Sequence, residues 1–279
     1  MIELNTNYHT HSLYCDGKEP LSAFVTAAEK LLYCQLGFSS HAPVPFENDF
    51  GIKEEEIGTY CSEIDGLQRQ TPVTLLKSLE CDFIPGQTKS FDTFRNEHHL
   101  DYIIGGVHLV LPPHGEGLWF IDGSKRETYD DGLDRLFGHD VRRAVTCFWE
   151  QTFEMIETEH FEIIAHFDKI KMHNRHRFFE DDEPWYQVLA DKALQLIKRH
   201  DIIIEINTRG LYKKRYDGFY PSTVLLQKAR KLDIPVIISS DAHKSEDLGQ
   251  YCPEARDELL RCGFDHLATF DTAARRFQY

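Results

Sequence analysis

Two pairs of metal-ligand-type residues, one near each end of the chain, restrict the fold more than any other feature. His9 and His11 flank one residue near the start, and Asp241 and His243 do the same near the end. Because successive strand residues point to opposite faces, each pair lies on one face of its strand and can chelate a cation. Imidazole and carboxylate together suit zinc, iron or manganese, and first and last strands become neighbours when a sheet closes into a barrel. The pairs therefore predict a barrel that brings both ends of the chain to one metal site.

Short apolar runs alternate with longer amphipathic stretches, which predicts about seven repeated β/α units in an α/β fold. The strand candidates are residues 4–11, 36–41, 73–81, 102–108, 162–168, 202–208 and 235–241. The helix candidates include residues 20–35, 184–200 and 222–232. A chain of 279 residues falls in the size range of one α/β barrel, so we expect a single domain over residues 1–279.

Residues 111–139 interrupt the alternation and are interpreted as an inserted loop. Long connections in compact domains tend to be functional lids or disordered segments. This one contains Trp119, Phe120 and Tyr129, and such aromatic content favours an ordered lid.

Charge and cysteine usage argue against several classes of protein. A formal charge of −15 repels polyanions, so we expect no nucleic-acid partner, and a small cationic substrate suits this field better. The seven cysteines include no Cys-x-x-Cys spacing and imply no disulfide framework. The start of the chain lacks a secretion signal, and no run has the length of a membrane span. We therefore expect a cytoplasmic protein without a membrane partner.

Ligand-type residues recur at the carboxyl ends of six of about seven predicted strands. In chain order they are His9, His11, Asp16, His41, Glu80, His108, His166, Asp241 and His243. In α/β barrels the active site is built at this rim, because the loops there converge on the barrel mouth. Taken singly, a histidine there is more often structural, Glu80 a surface carboxylate and Asp16 a turn residue. Their common position instead favours a multinuclear metal site at the C-terminal rim of the strands.

The same residues resemble the signature of a known family. His9-Thr10-His11, Asp16-Gly17, His41, Glu80, His108, His166 and Asp241-Ala242-His243 are similar to the four motifs of the PHP superfamily, named for polymerase and histidinol phosphatase. Segments 105–108, 165–170 and 205–210 resemble its histidinol-phosphate phosphatase branch. The resemblance runs nearly end to end and implies a distorted TIM-like barrel that holds three divalent metal ions, of zinc, iron or manganese.

The resemblance also implies how the metals are held. The first would be held by His9, His11, Glu80 and Asp241, the second by Glu80, His108 and His166, and the third by Asp16, His41 and His243. Glu80 would bridge the first two metals. Some relatives have histidine where this chain has Asp16, which leaves the identity of the third metal open.

An electropositive multinuclear site in an acidic protein attracts a phosphate dianion. Together with the resemblance, this implies hydrolysis of L-histidinol phosphate to L-histidinol and phosphate in histidine biosynthesis. Glu80, Asp241 and His243 would act through the metals. The alternatives are another PHP phosphoesterase that acts on nucleotides or short oligonucleotides, and a non-catalytic metal-binding module. The sequence leaves the oligomeric state open.

Four residues outside the ligand set are candidates for binding the substrate. Arg209 shares a strand face with Glu205, and its bidentate fork suits phosphate, so we predict a phosphate clamp; the alternative is a solvent-facing arginine. Lys244 is a weaker candidate for the same phosphate. Glu205 and Asp168 either bind the ammonium or imidazole of the substrate or orient a ligand histidine.

Overall fold

Strands and helices alternate through most of the chain, and the computed structural model describes residues 2–114 and 116–279. The strands in chain order are β1 (Thr6–Asn7), β2 (Gln35–His41), β3 (Thr74–Asp82), β4 (Ile104–Gly106), β5 (Leu109–Val110), β6 (Trp119–Phe120), β7 (Ile163–Ile164), β8 (Ile203–Asn207), β9 (Val236–Ser239), β10 (Thr269–Asp271) and β11 (Arg276–Gln278). The α-helices are α1 (Leu21–Lys30), α2 (Ile57–Gln68), α3 (Phe91–His98), α4 (Arg126–Phe137), α5 (Val141–Thr158), α6 (Pro184–Arg199), α7 (Arg209–Tyr212), α8 (Thr223–Lys231) and α9 (Cys252–Arg261). Short 3-10 helices lie at Glu54–Glu56, Lys169–Lys171 and Ser245–Asp247.

The main sheet consists of seven parallel strands in the order β1-β2-β3-β4-β7-β8-β9. A bridge between Thr10 and Ala242 brings the segment after β1 beside the segment after β9. There the His11 backbone N–H donates to the Ala242 carbonyl oxygen at 2.8 Å. Each sheet strand overlaps a predicted one, and the nearly closed, distorted TIM-like barrel is confirmed.

The sequence explains why these segments form strands and helices. β8 and β9 are rich in isoleucine and buried on both faces, as expected for parallel strands covered by helices. In α1, Leu21, Phe24, Val25 and Ala28 form one buried stripe, and α6 begins with Pro184 in its first turn. Within the described residues, no helix combines the length and apolarity needed to cross a bilayer.

Aromatic side chains close the amino-terminal end of the barrel. The antiparallel hairpin of β10 and β11 presents Phe270 and Phe277 to Tyr8 and Tyr102, with ring centroids 5.1 to 6.3 Å apart. The Tyr102 hydroxyl donates to the Tyr8 carbonyl oxygen. This end is therefore filled and apolar, whereas the polar residues at the carboxyl ends of the parallel strands lie at the opposite rim.

The prediction that residues 111–139 form a loop is wrong. β6 pairs antiparallel with β5, and residues 126–137 of the segment form the helix α4. Asp130-Asp131-Gly132 resembles a turn in sequence, but Tyr129, Leu133 and Phe137 recur every four residues and are buried. Gly132 allows close packing, since a Cβ there would lie 2.5 Å from Trp119 Cδ1. The prediction of one domain over residues 1–279 stays a prediction.

Candidate metal centre

The first strand delivers two histidines to the carboxyl end of the barrel. His9 and His11 follow β1, and both are fully buried. Their Nε2 atoms lie 3.1 Å apart. Two imidazole nitrogens that converge inside a protein can form half of a tetrahedral metal site.

Asp241 and His243 reach the same place from the last strand. Asp241 Oδ1 lies 3.3 Å from His11 Nε2 and 3.8 Å from His9 Nε2. Asp241 has a φ of 50°, in the left-handed region that costs free energy and recurs at functional sites. Arg209 Nη1 donates to its carbonyl oxygen at 2.7 Å and helps to hold this conformation. The structure therefore brings together the two pairs that the sequence places at opposite ends of the chain.

Glu80 stands between two sets of imidazoles at the end of β3. Its Oε2 lies 3.1 Å from both His9 Nε2 and His41 Nδ1. Its Oε1 lies 3.0 Å from His166 Nε2 and 3.5 Å from His108 Nε2. The His108 and His166 Nε2 atoms are themselves 2.9 Å apart. A carboxylate whose two oxygens face different ligand sets has the position required to bridge two cations.

Asp16 gathers a third set. Its Oδ1 lies 3.0 Å from His243 Nε2 and 3.8 Å from both His41 Nε2 and His11 Nδ1. The loop that follows β1 carries Asp16 back over the barrel rim, where the Lys18 backbone N–H donates to the His243 carbonyl oxygen. Asp16, which by itself in the sequence resembles a turn residue, is therefore part of the site.

These side chains form groups that fit a metal ion. Ligand atoms within 4.8 Å of one another come from His11, Asp16, His41 and His243, from His9, His11 and Asp241, and from His41, Glu80 and His108. The buried atoms Asp16 Oδ1 and Glu80 Oε2 accept no hydrogen bond from the described residues. Unpaired buried carboxylate oxygens facing imidazole nitrogens are the donor set that divalent cations bind. We call the nine residues the ligand cluster: His9, His11, Asp16, His41, Glu80, His108, His166, Asp241 and His243.

The electrostatics of the ligand cluster also favour a cation. Burial disfavours a charged His9, but the carboxylates of Glu205 and Glu80 outweigh it and raise the pKa of His9 well above its usual value. Burial would raise the pKa of Glu80, whereas the surrounding histidines, led by His9, hold it well below its usual range. Burial and the charge of His243 lower the pKa of His11. Ionised carboxylates around buried imidazoles stabilise positive charge among them, and a divalent cation supplies that charge in place of protons.

Two carboxylates behind the ligand cluster orient its histidines. Glu205 Oε1 lies 2.6 Å from His9 Nδ1, and its Oε2 accepts from the His166 backbone N–H at 2.9 Å. Asp82 Oδ2 lies 3.0 Å from His108 Nδ1, and Asp82 Oδ1 accepts from the His108 backbone N–H at 2.8 Å. Carboxylates in this position fix the tautomer and ring orientation of ligand histidines. Of the two sequence interpretations of Glu205, the structure matches the orienting one.

A cleft of about 100 Å³ opens at the ligand cluster. Its lining includes three cationic side chains, Lys169, Arg209 and Arg215, which we call the cationic wall. Arg209 Nη1 lies 2.6 Å from His243 Nδ1, and the residue is only 8% exposed, so it is not a solvent-facing arginine. Fixed cations beside a metal cluster suit a phosphate group.

Two of the predicted substrate residues do not reach this cleft. Lys244 lies at the surface, with its Nζ 3.3 Å from a Glu246 oxygen. Asp168 is fully buried but turned away, with its Oδ2 2.6 Å from Lys171 Nζ and accepting from the Ser222 backbone N–H. The structure therefore corrects the placement of both residues, since strand-end position alone does not fix where a side chain points.

Sequence reasoning missed several residues of the site. Asp82 follows Glu80 by two positions on β3, so the period of a strand could have found it. Lys169, Arg215 and Asp122 lie in connecting segments and carry no comparable signal. Two aromatic side chains that also line the cleft, Phe50 and Phe120, are likewise placed only by the fold.

The family model described as PHP domain matches residues 7–209, which is more than half of the chain. The chain therefore belongs to the PHP domain family, and seven of the nine members of the ligand cluster lie within the matched residues.

Individual proteins are similar over nearly the whole chain. A Deinococcus radiodurans protein named "Probable histidinol-phosphatase" is 25% identical over 236 residues, which cover 82% of each chain. The Bacillus subtilis histidinol-phosphatase is 21% identical over 281 residues and matches 91% of this chain and 98% of its own. A crystal structure of histidinol phosphate phosphatase from Lactococcus lactis, complexed with zinc, L-histidinol and phosphate, has a TM-score of 0.70 at 19% identity and covers 99% of both chains. The structural likeness shows a shared fold.

Proposed function

We propose that the protein is a metal-dependent phosphomonoesterase that hydrolyses L-histidinol phosphate to L-histidinol and inorganic phosphate, a step of histidine biosynthesis. The position of Glu80 carries the proposal, because its two oxygens face separate imidazole sets directly below a cleft lined by three cationic side chains. The names of the relatives and the zinc, L-histidinol and phosphate of the Lactococcus lactis structure support this substrate.

We assign the ligand cluster three divalent ions of zinc, iron or manganese. The first set is His9, His11, Glu80 and Asp241, the second is Glu80, His108 and His166, and the third is Asp16, His41 and His243. The mixture of nitrogen and oxygen donors suits all three metals, and availability decides among them. Bound divalent ions supply activation of water and neutralisation of phosphate charge.

The remaining groups of the site bind and orient. Arg209 and Arg215 offer planar guanidinium donors to phosphate oxygens, and Lys169 adds a point charge. Glu205 and Asp82 keep the rings of His9 and His108 in fixed tautomers, so the donor atoms are already in place when substrate arrives. Such preorganisation lowers the barrier because little needs to rearrange during the reaction.

The same cleft can also take the leaving alcohol. Phe50 and Phe120 line it and present aromatic surface. L-Histidinol carries an imidazole, which stacks on aromatic rings, and an ammonium, which is attracted to ring faces. The formal charge of −15 favours approach of a substrate with a cationic end.

We also propose that the partner is this small molecule rather than a nucleic acid, and that the protein works in the cytoplasm. All seven cysteines are free thiols, which suits a reducing compartment. The acidic charge of the chain disfavours polyanions.

The direct test is phosphate release by purified protein loaded with zinc or manganese. Histidinol phosphate should be hydrolysed far faster than nucleoside monophosphates or short oligonucleotides, at a rate that changes little with salt. Similar rates for nucleotides, with strong salt dependence, would instead identify a nucleotide phosphoesterase. Metal binding without turnover of any phosphate ester would identify a non-catalytic module.

A further inference from the structure

We infer that Asp122 is a positioning residue that holds Lys169 and Arg215 on the cationic wall, and that delivering Asp122 to the cleft is the role of residues 111–139. The inference rests on the proposed phosphatase function, because it concerns how the phosphate group is bound. It gives a purpose to a segment that departs from the β/α repeat.

Asp122 connects three separate segments at the cleft. It lies in the turn between β6 and α4 and lines the cleft itself. Its Oδ2 is 2.9 Å from Lys169 Nζ, in the 3-10 helix that follows β7. Its Oδ1 is 3.7 Å from Arg215 Nη1, in the segment that follows α7. One carboxylate thus faces two of the three cations of the wall.

The turn that carries Asp122 is built for this placement. Gly123 has a φ of 87°, and a Cβ there would lie 2.9 Å from Phe120 Cε1. A larger residue would therefore be strained and would displace the Phe120 ring from the cleft. The sharp turn between β6 and α4 thus places Asp122 in the lining of the cleft.

The segment is also anchored away from the cleft. Asp130 on α4 accepts two hydrogen bonds from the Arg177 guanidinium, at 2.9 and 2.7 Å. Trp119 Nε1 donates to the Tyr129 carbonyl oxygen at 2.9 Å. These contacts fix the segment without Asp122, so removing the Asp122 charge should disturb the cationic wall and leave the segment in place.

Two electrostatic effects of Asp122 act in opposite directions. Its negative charge weakens the attraction of the cleft for phosphate, but it also holds the flexible Lys169 side chain, which is only 3% exposed, in one position. Lysine has a large rotamer entropy, and a buried ammonium without a partner is costly. The neighbouring cations repel Lys169 as well. When the Asp122 charge is removed, Lys169 loses its fixed position and the cleft gains net positive charge. We expect the first effect on phosphate binding to outweigh the second.

The experiment compares Asp122→Asn with Asp122→Glu and with Asp130→Asn, a matched control in the same segment that faces away from the cleft. Inorganic phosphate is titrated into each metal-loaded protein by calorimetry, and kinetics are measured on histidinol phosphate and on glycerol phosphate. Asp122→Asn should weaken phosphate binding and raise KM for both esters by roughly 10- to 100-fold, the size expected when a charge-assisted hydrogen bond to phosphate is lost. The change in kcat should be smaller, Asp122→Glu should recover part of the affinity, and Asp130→Asn should behave as the unmodified protein.

Three results would overturn the inference. Tighter phosphate binding by Asp122→Asn would show that charge outweighs position. A loss confined to histidinol phosphate would mean that Asp122 contacts the substrate's ammonium directly, and a loss of metal by elemental analysis would make it a ligand. The phosphate titration needs no turnover, so it decides the role of Asp122 even if histidinol phosphate proves not to be the substrate.

Discussion

The ligand cluster and the cationic wall lie in the same cleft but are built in different ways. Every member of the ligand cluster lies at the end of a parallel strand or in the loop directly after it, and the barrel brings those ends together. In the cationic wall only Arg209 directly follows a strand, whereas Lys169 and Arg215 lie farther along their connecting segments, and Asp122 reaches both from residues 111–139. Repetition of one structural unit therefore forms the candidate metal centre, whereas two of the three cations of the wall depend on packing between connecting segments.

Glu80→Gln should produce the largest effect, because it removes charge from the oxygens that face both imidazole sets. We expect turnover to fall on the order of 1000-fold or more, roughly 4 kcal/mol of transition-state stabilisation, together with loss of at least one metal ion. Phosphate release and elemental analysis measure both. Glu258→Gln is the control, since Glu258 is equally buried on α9 and binds Thr223 far from the cleft. Full turnover by Glu80→Gln would contradict the bridging role.

Glu205→Gln should have the next largest effect. It keeps the shape of the side chain but weakens the acceptor of His9 Nδ1, which lies 2.6 Å away. Loss of this orienting contact should lower metal affinity or activity by roughly 10- to 100-fold. Competition with a metal chelator measures the affinity. An unchanged affinity would show that the ligand cluster orients itself without the carboxylates behind it.

Arg209→Ala tests whether the cationic wall binds phosphate. Charge-assisted hydrogen bonds to a phosphate contribute about 1.5–3 kcal/mol, so kcat/KM should fall at least about tenfold, mainly through KM. Lys244→Ala is the control, because Lys244 faces solvent and pairs with Glu246. Equal losses in both variants would contradict a specific role of Arg209 in binding phosphate.

Asp130→Asn should have the smallest effect, on stability alone. The hydrogen bond from Arg177 lowers the pKa of Asp130 below its usual 3.8. A lowered carboxyl pKa contributes stability that is complete above the unfolded value and is lost as the pH falls through the folded one. The pair is partly exposed, so the loss at pH 7 should be below about 1 kcal/mol. Thermal unfolding at pH 7 and in acid should show the difference only at pH 7; a constant difference would point to another cause.

The sequence predicts the barrel and the ligand cluster well because both follow from short-range patterns. His-x-His and Asp-x-His pairs, with single ligands at the ends of buried strands, predict a cluster of ligands wherever β/α units close into a barrel. Asp82 follows the same rule and could have been included with Glu80.

The remainder of the site depends on long-range packing. Asp122 reaches the cleft through the turn at Gly123 between β6 and α4. Asp168 and Lys244 show the converse, because both lie close in sequence to ligands and yet face elsewhere. Sequence reasoning missed the helix α4 because its Asp-Asp-Gly sequence resembles a turn. The sequence does not show that Gly132 packs against Trp119, which is what gives a glycine a place within this helix.

The most direct test of the account is anomalous X-ray scattering from crystals grown with zinc or manganese. The account predicts three peaks within the ligand cluster, two of them joined by Glu80 and the third beside Asp16. Crystals that diffract well with ample divalent ions and show no anomalous density between these imidazoles and carboxylates would contradict it.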